Sequence, residues 1–189
     1  MWLMALCLCA SVAPAQPPAT VTEPREPENF VVRHAETTLV NGVYLLDAEI
    51  DYRFNPDVLE ALENGVPLIL ELQIEIIHPR EWLWDEEFTT LQQRYRFQYH
   101  ALTQQYLVKN LNSGIQYNYP ARDAAIRALG TVSGLPILDK RLLEPEEPYT
   151  ARLRARLDVE SLPTPLRLLA YVSPQWQLVS DWYEWSLQH

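Results

Sequence analysis

The runs Leu70-Glu71-Leu72-Gln73-Ile74-Glu75-Ile76 and Arg94-Tyr95-Arg96-Phe97-Gln98-Tyr99-His100 alternate strictly between apolar and polar residues. A shorter run, Gln105 to Lys109, does the same. A period of two sends alternate side chains to opposite faces of a sheet, so Val66 to Lys109 reads as three successive strands. Antiparallel pairing of the first two, through the segment around Trp82 to Phe88, predicts a register. Ile74 opposite Tyr95 also sets Leu72 opposite Phe97 and Leu70 opposite Tyr99. The same register brings Glu75 to Arg94 and Gln73 to Arg96. One face is then aliphatic on aromatic and the other charge-paired, each pair contributing roughly 0.2–1 kcal/mol. A one-residue slip would turn the whole apolar set to water.

Upstream, Phe30 to Val40 is a strand candidate, Asn41-Gly42 is a two-residue hairpin signal, and Val43 to Phe54 is the return strand. Tyr44, Leu46, Ala48, Ile50, Tyr52 and Phe54 share one face of that return strand; Asp47, Glu49, Asp51 and Arg53 share the other. Asn55-Pro56 starts a short helix, with Asn55 as cap, Val58, Leu59 and Leu62 as its apolar stripe, and Gly65 at its end. Downstream, Asn112-Ser113-Gly114 is a turn, and a second helix is predicted over Ala121 to Leu129, stopped by Gly130. Ser133 to Pro148 reads as irregular, with a brief extended piece at Leu135 to Leu138. Tyr149 to Val159 alternates as a clean strand. Pro163-Thr164-Pro165 breaks the chain before a short apolar segment, Leu166 to Val172. Trp176 to Leu187, apolar on both faces, reads as a central or covered strand. The expectation is a mainly β, antiparallel sandwich-like domain of about seven or eight strands with two short helices. The alternative is an α+β antiparallel sheet with helices on one face.

The chain has 189 residues, 48% of them hydrophobic, enough for one domain with a real core. Twenty-five Asp and Glu against 15 Lys and Arg give a net charge of −10, which argues against a nucleic-acid-binding surface. Residues 1–15 read as a cleaved export signal: an apolar run from Trp2 to Val12, then Ala13-Pro14-Ala15 before Gln16. Residues 16–29 form a proline-rich tether, and residues 30–189 a single β-rich domain. The protein is therefore expected in the periplasm of a bacterium or secreted, with no membrane span left after cleavage. The only cysteines, Cys7 and Cys9, fall in the leader, so the mature chain is expected to have no disulfide and no thiol chemistry.

No Gly-x-Ser-x-Gly, phosphate loop or dinucleotide glycine pattern occurs, and His34, His78, His100 and His189 lack metal-ligand spacing. No cofactor, metal site or catalytic residue is predicted. Two charged rows stand out. Asp47, Glu49 and Asp51 match the period of Arg152, Arg154 and Arg156, and antiparallel neighbours would pair them. Alternatively, the arginines face an acidic partner or an anionic ligand. Trp82 and Trp84, flanked by Arg80, Glu81 and Asp85, are candidate anchors for a partner or ligand. Trp176, Trp182, Tyr183 and Trp185 read as core packing.

Four runs together carry a resemblance: Tyr44-Leu45-Leu46-Asp47-Ala48, Glu60-Ala61-Leu62-Glu63-Asn64-Gly65-Val66-Pro67-Leu68, Leu162-Pro163-Thr164-Pro165-Leu166-Arg167, and Trp176-Gln177-Leu178-Val179-Ser180-Asp181-Trp182. They resemble domain-of-unknown-function family 4390, exported proteobacterial proteins, over about Phe30 to Leu187. The resemblance brings no activity and no catalytic residue. It implies encoding near a membrane sensor kinase, and hence a partner in the cell envelope. The expected role is a non-enzymatic protein-interaction module, using the Trp82 loop or an uncovered sheet edge. A periplasmic binder of a small ligand or glycan is the alternative, and a carboxylate-dependent hydrolase the third reading.

Overall fold

Asn41 and Gly42 turn the first two strands into a hairpin. Both have positive φ, 51° and 82°, the left-handed geometry that a two-residue turn needs between strands of right-handed twist. They join β1 (Phe30–Val40) to β2 (Val43–Tyr52) in the computed structural model, which describes residues 29–78, 86–145 and 147–187. A β-bulge between Val32 and His34 changes which parity faces inward: Phe30 and Val32 are buried before it, Ala35 after it. Asn55 caps α1 (Pro56–Glu63) by accepting the Val58 N–H at 3.0 Å, and Val58 and Leu62 are buried beneath it.

β3 (Leu68–His78), β4 (Glu86–His100) and β5 (Gln105–Asn110) are the three strands of the alternating stretch. β3 and β4 are antiparallel neighbours with the predicted faces, but their register is offset by four residues. Leu70 faces Tyr95, Leu68 faces Phe97 and Glu71 faces Arg94, while Leu72 lies opposite Gln93 instead of Phe97. An even slip keeps every side chain on its own face, so alternation alone cannot separate the two registers. β4 already begins at Glu86, so Phe88 belongs to a strand and not to the connection.

The second half of the chain departs further from expectation. β6 (Gln116–Tyr119) precedes α2 (Arg122–Gly130). β7 (Thr131–Asp139) is a full strand where an irregular segment was expected. Gly134 and Pro136 disguise it in the sequence, and β7 tolerates them because it lies at a sheet edge. β8 (Thr150–Leu157) is the predicted arginine strand. The apolar segment after Pro163 is a helix, α3 (Thr164–Val172), whose Pro165 sits in the first turn, where a missing N–H costs nothing. β9 (Tyr183–Ser186) is a short edge strand, not a central one.

Among the described residues there are nine strands in two antiparallel sheets, ordered β1-β2-β7 and β6-β5-β4-β3-β8-β9, with three α-helices and no closed barrel. The sandwich-like class holds, and the single-sheet alternative does not. One continuous core joins Leu46 and Ile50 of the small sheet to Leu70, Leu72, Phe97 and Leu153 of the large one; α1 and α2 contribute Leu62 and Leu129. Three strands cannot cover six. The inner face of the large sheet therefore runs on past its partner, and this asymmetry positions the surfaces described next.

Candidate functional site

Strand period sends Arg152, Arg154 and Arg156 of β8 to the outer face of the large sheet, beside Glu75, Gln73 and Glu71 of β3. Arg152 Nε donates to Glu75 Oε2 at 2.7 Å, Arg154 Nε to Gln73 Oε1 at 3.1 Å, and Arg156 Nε to Glu71 Oε1 at 3.1 Å. The central pair is a guanidinium on a neutral amide. Trp182 lies over this row, its ring centroid 4.5 Å from the Arg152 guanidinium carbon and 4.4 Å from that of Arg154. Cations on an indole face are attracted by its quadrupole. Trp182, expected in the core, is thus a cover for the arginines.

The predicted pairing of these arginines with Asp47, Glu49 and Asp51 does not form. The acidic row is on β2, in the other sheet, and both edges of β2 are already taken, by β1 and β7. Charge complementarity alone had two solutions, and β3 supplies the one used. Asp51 instead accepts from Arg33 Nη2 at 2.8 Å and Arg53 Nε at 2.9 Å. Burial raises its pKa, but the two guanidiniums outweigh that and hold the carboxyl below its ordinary value. Glu49 and Asp51 do share a shallow depression with Arg33 and Arg127. A carboxyl held below its ordinary value by two arginines, as that of Asp51 is, suits a charged surface better than a general acid. Trp82 and Trp84 lie outside the described residues.

Asp158 closes the end of the arginine face. Arg94 Nη2 donates to its Oδ2 at 2.5 Å, the Ser161 hydroxyl at 2.6 Å, and the Glu160 N–H to its Oδ1 at 3.1 Å. Burial pushes the carboxyl up; Ser161, Arg94 and the Glu160 amide together push it further down, to below its ordinary value. A depressed folded pKa adds stability above the unfolded value of about 4, and that stability is lost as pH falls through the folded value. Asp158→Asn should therefore cost roughly 1.5 kcal/mol at pH 7 and clearly less at pH 3, where part of the carboxylate's contribution is already lost. Urea unfolding at the two pH values checks this, and an equal cost at both would refute it.

A cleft of about 440 Å³ opens where the large sheet outruns the small one. Tyr117 and Tyr119 of β6 and Tyr95 of β4 line it on one side, and Leu135 and Pro136 of β7 on the other. Tyr117 pairs across the strands with buried Val108, so it has inner-face parity, yet it is 60% exposed. Among the described residues, no charged side chain lines the cleft. Burial pushes the Tyr95 phenol up, against a hydrogen bond from Gln93. The Tyr52 hydroxyl, buried without a hydrogen-bond partner, is pushed up by burial and then by Tyr95. The sequence signal for this site was the alternation Ile115-x-Tyr117-x-Tyr119; it is too short to read as a strand without its neighbours.

The family model described as "Domain of unknown function (DUF4390)" matches residues 27–186. The chain belongs to the DUF4390 family. No curated protein and no solved structure matches it. The DUF4390 match runs from before β1 to the end of β9, so both surfaces above belong to the family domain. So does a third. On α3, Leu168, Leu169, Tyr171 and Val172 are 66%, 56%, 54% and 77% exposed, while Ala170 is buried. The helix is held from below by Arg167, which donates to the Leu162 carbonyl at 3.1 Å. Among the described residues of the DUF4390 domain, no helix is long and apolar enough to cross a membrane.

Proposed function

We propose that this DUF4390 protein is exported to the cell envelope and acts there as a non-enzymatic protein-interaction module that docks a partner on α3. The exposed stripe on α3 supports this reading. Leu168, Tyr171 and Val172 are three and four residues apart, one face of a helix, and they point away from the core that Ala170 enters. An apolar patch of this kind on a folded monomer marks a place of contact. The stripe carries no carboxylate, ammonium or guanidinium, so the partner presents an apolar groove or helix of its own. A bilayer is the other apolar surface in an envelope, and a chain of net charge −10 is repelled by anionic lipid. The resemblance to proteins encoded beside membrane sensor kinases makes the exported part of such a sensor the first partner to test.

The test joins an export assay to a capture assay. A reporter active only after export, fused behind residues 1–15, should be active. In capture from envelope extract, the parent chain should retain a partner that reassembles from purified components. Leu168→Asp/Val172→Asp should weaken that complex more than tenfold, a loss of roughly 2 kcal/mol typical of a buried interface centre, with the unfolding temperature unchanged. Equal capture by this variant, or loss only in Trp82→Ala/Trp84→Ala, would remove α3 from the interface.

A further inference from the structure

The tyrosine cleft belongs to neither the core nor the α3 surface. We infer that it binds a neutral oligosaccharide, with the rings of Tyr117 and Tyr119 stacked on sugar faces. In a chain with 21% charged residues, no Asp, Glu, Lys or Arg among the described residues lines this cleft. A charged ligand would lose its hydration there without gaining a counter-charge. Nor does the Tyr95 phenol supply one, because burial pushes its pKa up.

What the walls do present is amphipathic. A tyrosine offers an apolar ring and a polar tip, which matches a pyranose, with its C–H face and hydroxyl rim. Asn110 and Ser113 stand at the mouth. The Asn110 side-chain oxygen Oδ1 accepts from the backbone N–H groups of Asn112 and Ser113, at 2.9 Å each. Its amide nitrogen remains as a donor, and so does the Ser113 hydroxyl proton, since that oxygen accepts from Ile115 at 3.3 Å. The volume falls in the range of small-ligand sites, about 300–1,000 Å³. The cleft is half open to solvent, so a ligand longer than one sugar ring can extend out of it.

A peptide strand is the rival occupant, because two sheet edges border the cleft. Those edges are poor templates. β6 has four residues. β7 is interrupted by Pro136, which has no N–H, and by Gly134 at φ 60°. Side-chain stacking, not backbone pairing, is what this opening provides.

The probes are an N-acetylglucosamine trimer and maltotriose, titrated into the folded chain by calorimetry and ligand-observed NMR, with a proline-rich decapeptide alongside. At least one sugar should bind saturably at one site. Its affinity should be unchanged between 50 and 500 mM salt, since no charge is involved. Tyr117→Ala should weaken binding at least tenfold and Tyr117→Phe less than threefold. Tyr117 is exposed, so circular dichroism and unfolding temperature should be those of the parent. Leu168→Asp/Val172→Asp should bind the sugar normally, which keeps this result separate from the fate of the α3 interface. Absence of saturable binding to both sugars, binding that survives Tyr117→Ala, affinity that falls with salt, or capture of the decapeptide alone would each overturn the inference.

Discussion

Gly130→Ala is expected to destabilise the fold by roughly 3 kcal/mol, at the upper end of the cost of overpacking. Gly130 ends α2 directly over β2. A β-carbon there would lie 2.2 Å from the Ile50 carbonyl oxygen and 3.4 Å from its carbon. Both are backbone atoms inside a paired strand, so no rotamer change relieves the contact. α2 would have to lift, and with it Ala125 and Leu129, which seal the core on that side. For a domain of this size the expected fall in melting temperature is roughly 10 °C. Gly42→Ala is the matched control. Gly42 has positive φ but nothing within 4 Å of its missing β-carbon, so only the local backbone cost of about 1 kcal/mol applies. Equal effects from the two substitutions would refute the close-approach account of Gly130.

Glu71→Leu should cost roughly 2–3 kcal/mol, less than the 3–5 kcal/mol for breaking a fully buried pair. The Glu71 side chain is 5% exposed, and its Arg156 and Arg94 partners 41% and 38%. Glu71 Oε1 accepts from Arg156 and, at 2.8 Å, from the Gln73 amide; Arg94 Nε lies 3.9 Å from Oε2. Removing the carboxylate strands two hydrogen-bond donors and takes the counter-charge from Arg94, but the two guanidiniums can still reach water, which sets the discount. Glu71→Gln keeps an acceptor and should cost about half as much. Glu71→Leu/Arg156→Leu should be more stable than the sum of the single changes predicts, because a buried pair replaced by apolar packing loses little. Urea midpoints at constant slope report these differences. Strict additivity would show that Arg156 and Glu71 do not interact.

The first half of the fold was readable because its signals are local. Asn41-Gly42, the Asn55 cap and the strict alternation of β2, β3 and β4 each specify an element without reference to the rest. Register was not readable, since β3 and β4 keep the same faces under any even slip. Nor was the partner of β8, because Glu71-x-Gln73-x-Glu75 and Asp47-x-Glu49-x-Asp51 are interchangeable in period and nearly so in charge; only the filling of both edges of β2, by β1 and β7, decides between them. β7 and α3 were hidden by prolines whose harm depends on position: an edge strand for Pro136, a first helical turn for Pro165. The tyrosine cleft was legible in composition but not in exposure. Tyr117 has the pattern of a core residue, and only the unequal width of the two sheets leaves it open. That Arg152, Arg154 and Arg156 share one strand face is legible in their period, while their Trp182 cover depends on a chain reversal after α3 that no local pattern encodes.

The two charged rows end on opposite outer surfaces of the sandwich: Glu36, Asp47 and Glu49 outside the small sheet, Arg96, Lys109 and the β8 arginines outside the large one. Glu71 and Glu75 offset Arg156 and Arg152, and Arg33 and Arg53 offset Asp51; what is left of the two rows would give the domain a modest dipole moment across its layers, on top of its net negative charge. In an electric field such a domain would turn as well as drift. Near a cationic surface it presents the small sheet, and near an anionic one the large sheet faces inward while the molecule as a whole is pushed away. The torque would pre-set the angle at which the edges of the sandwich, and the cleft between them, meet whatever the protein approaches.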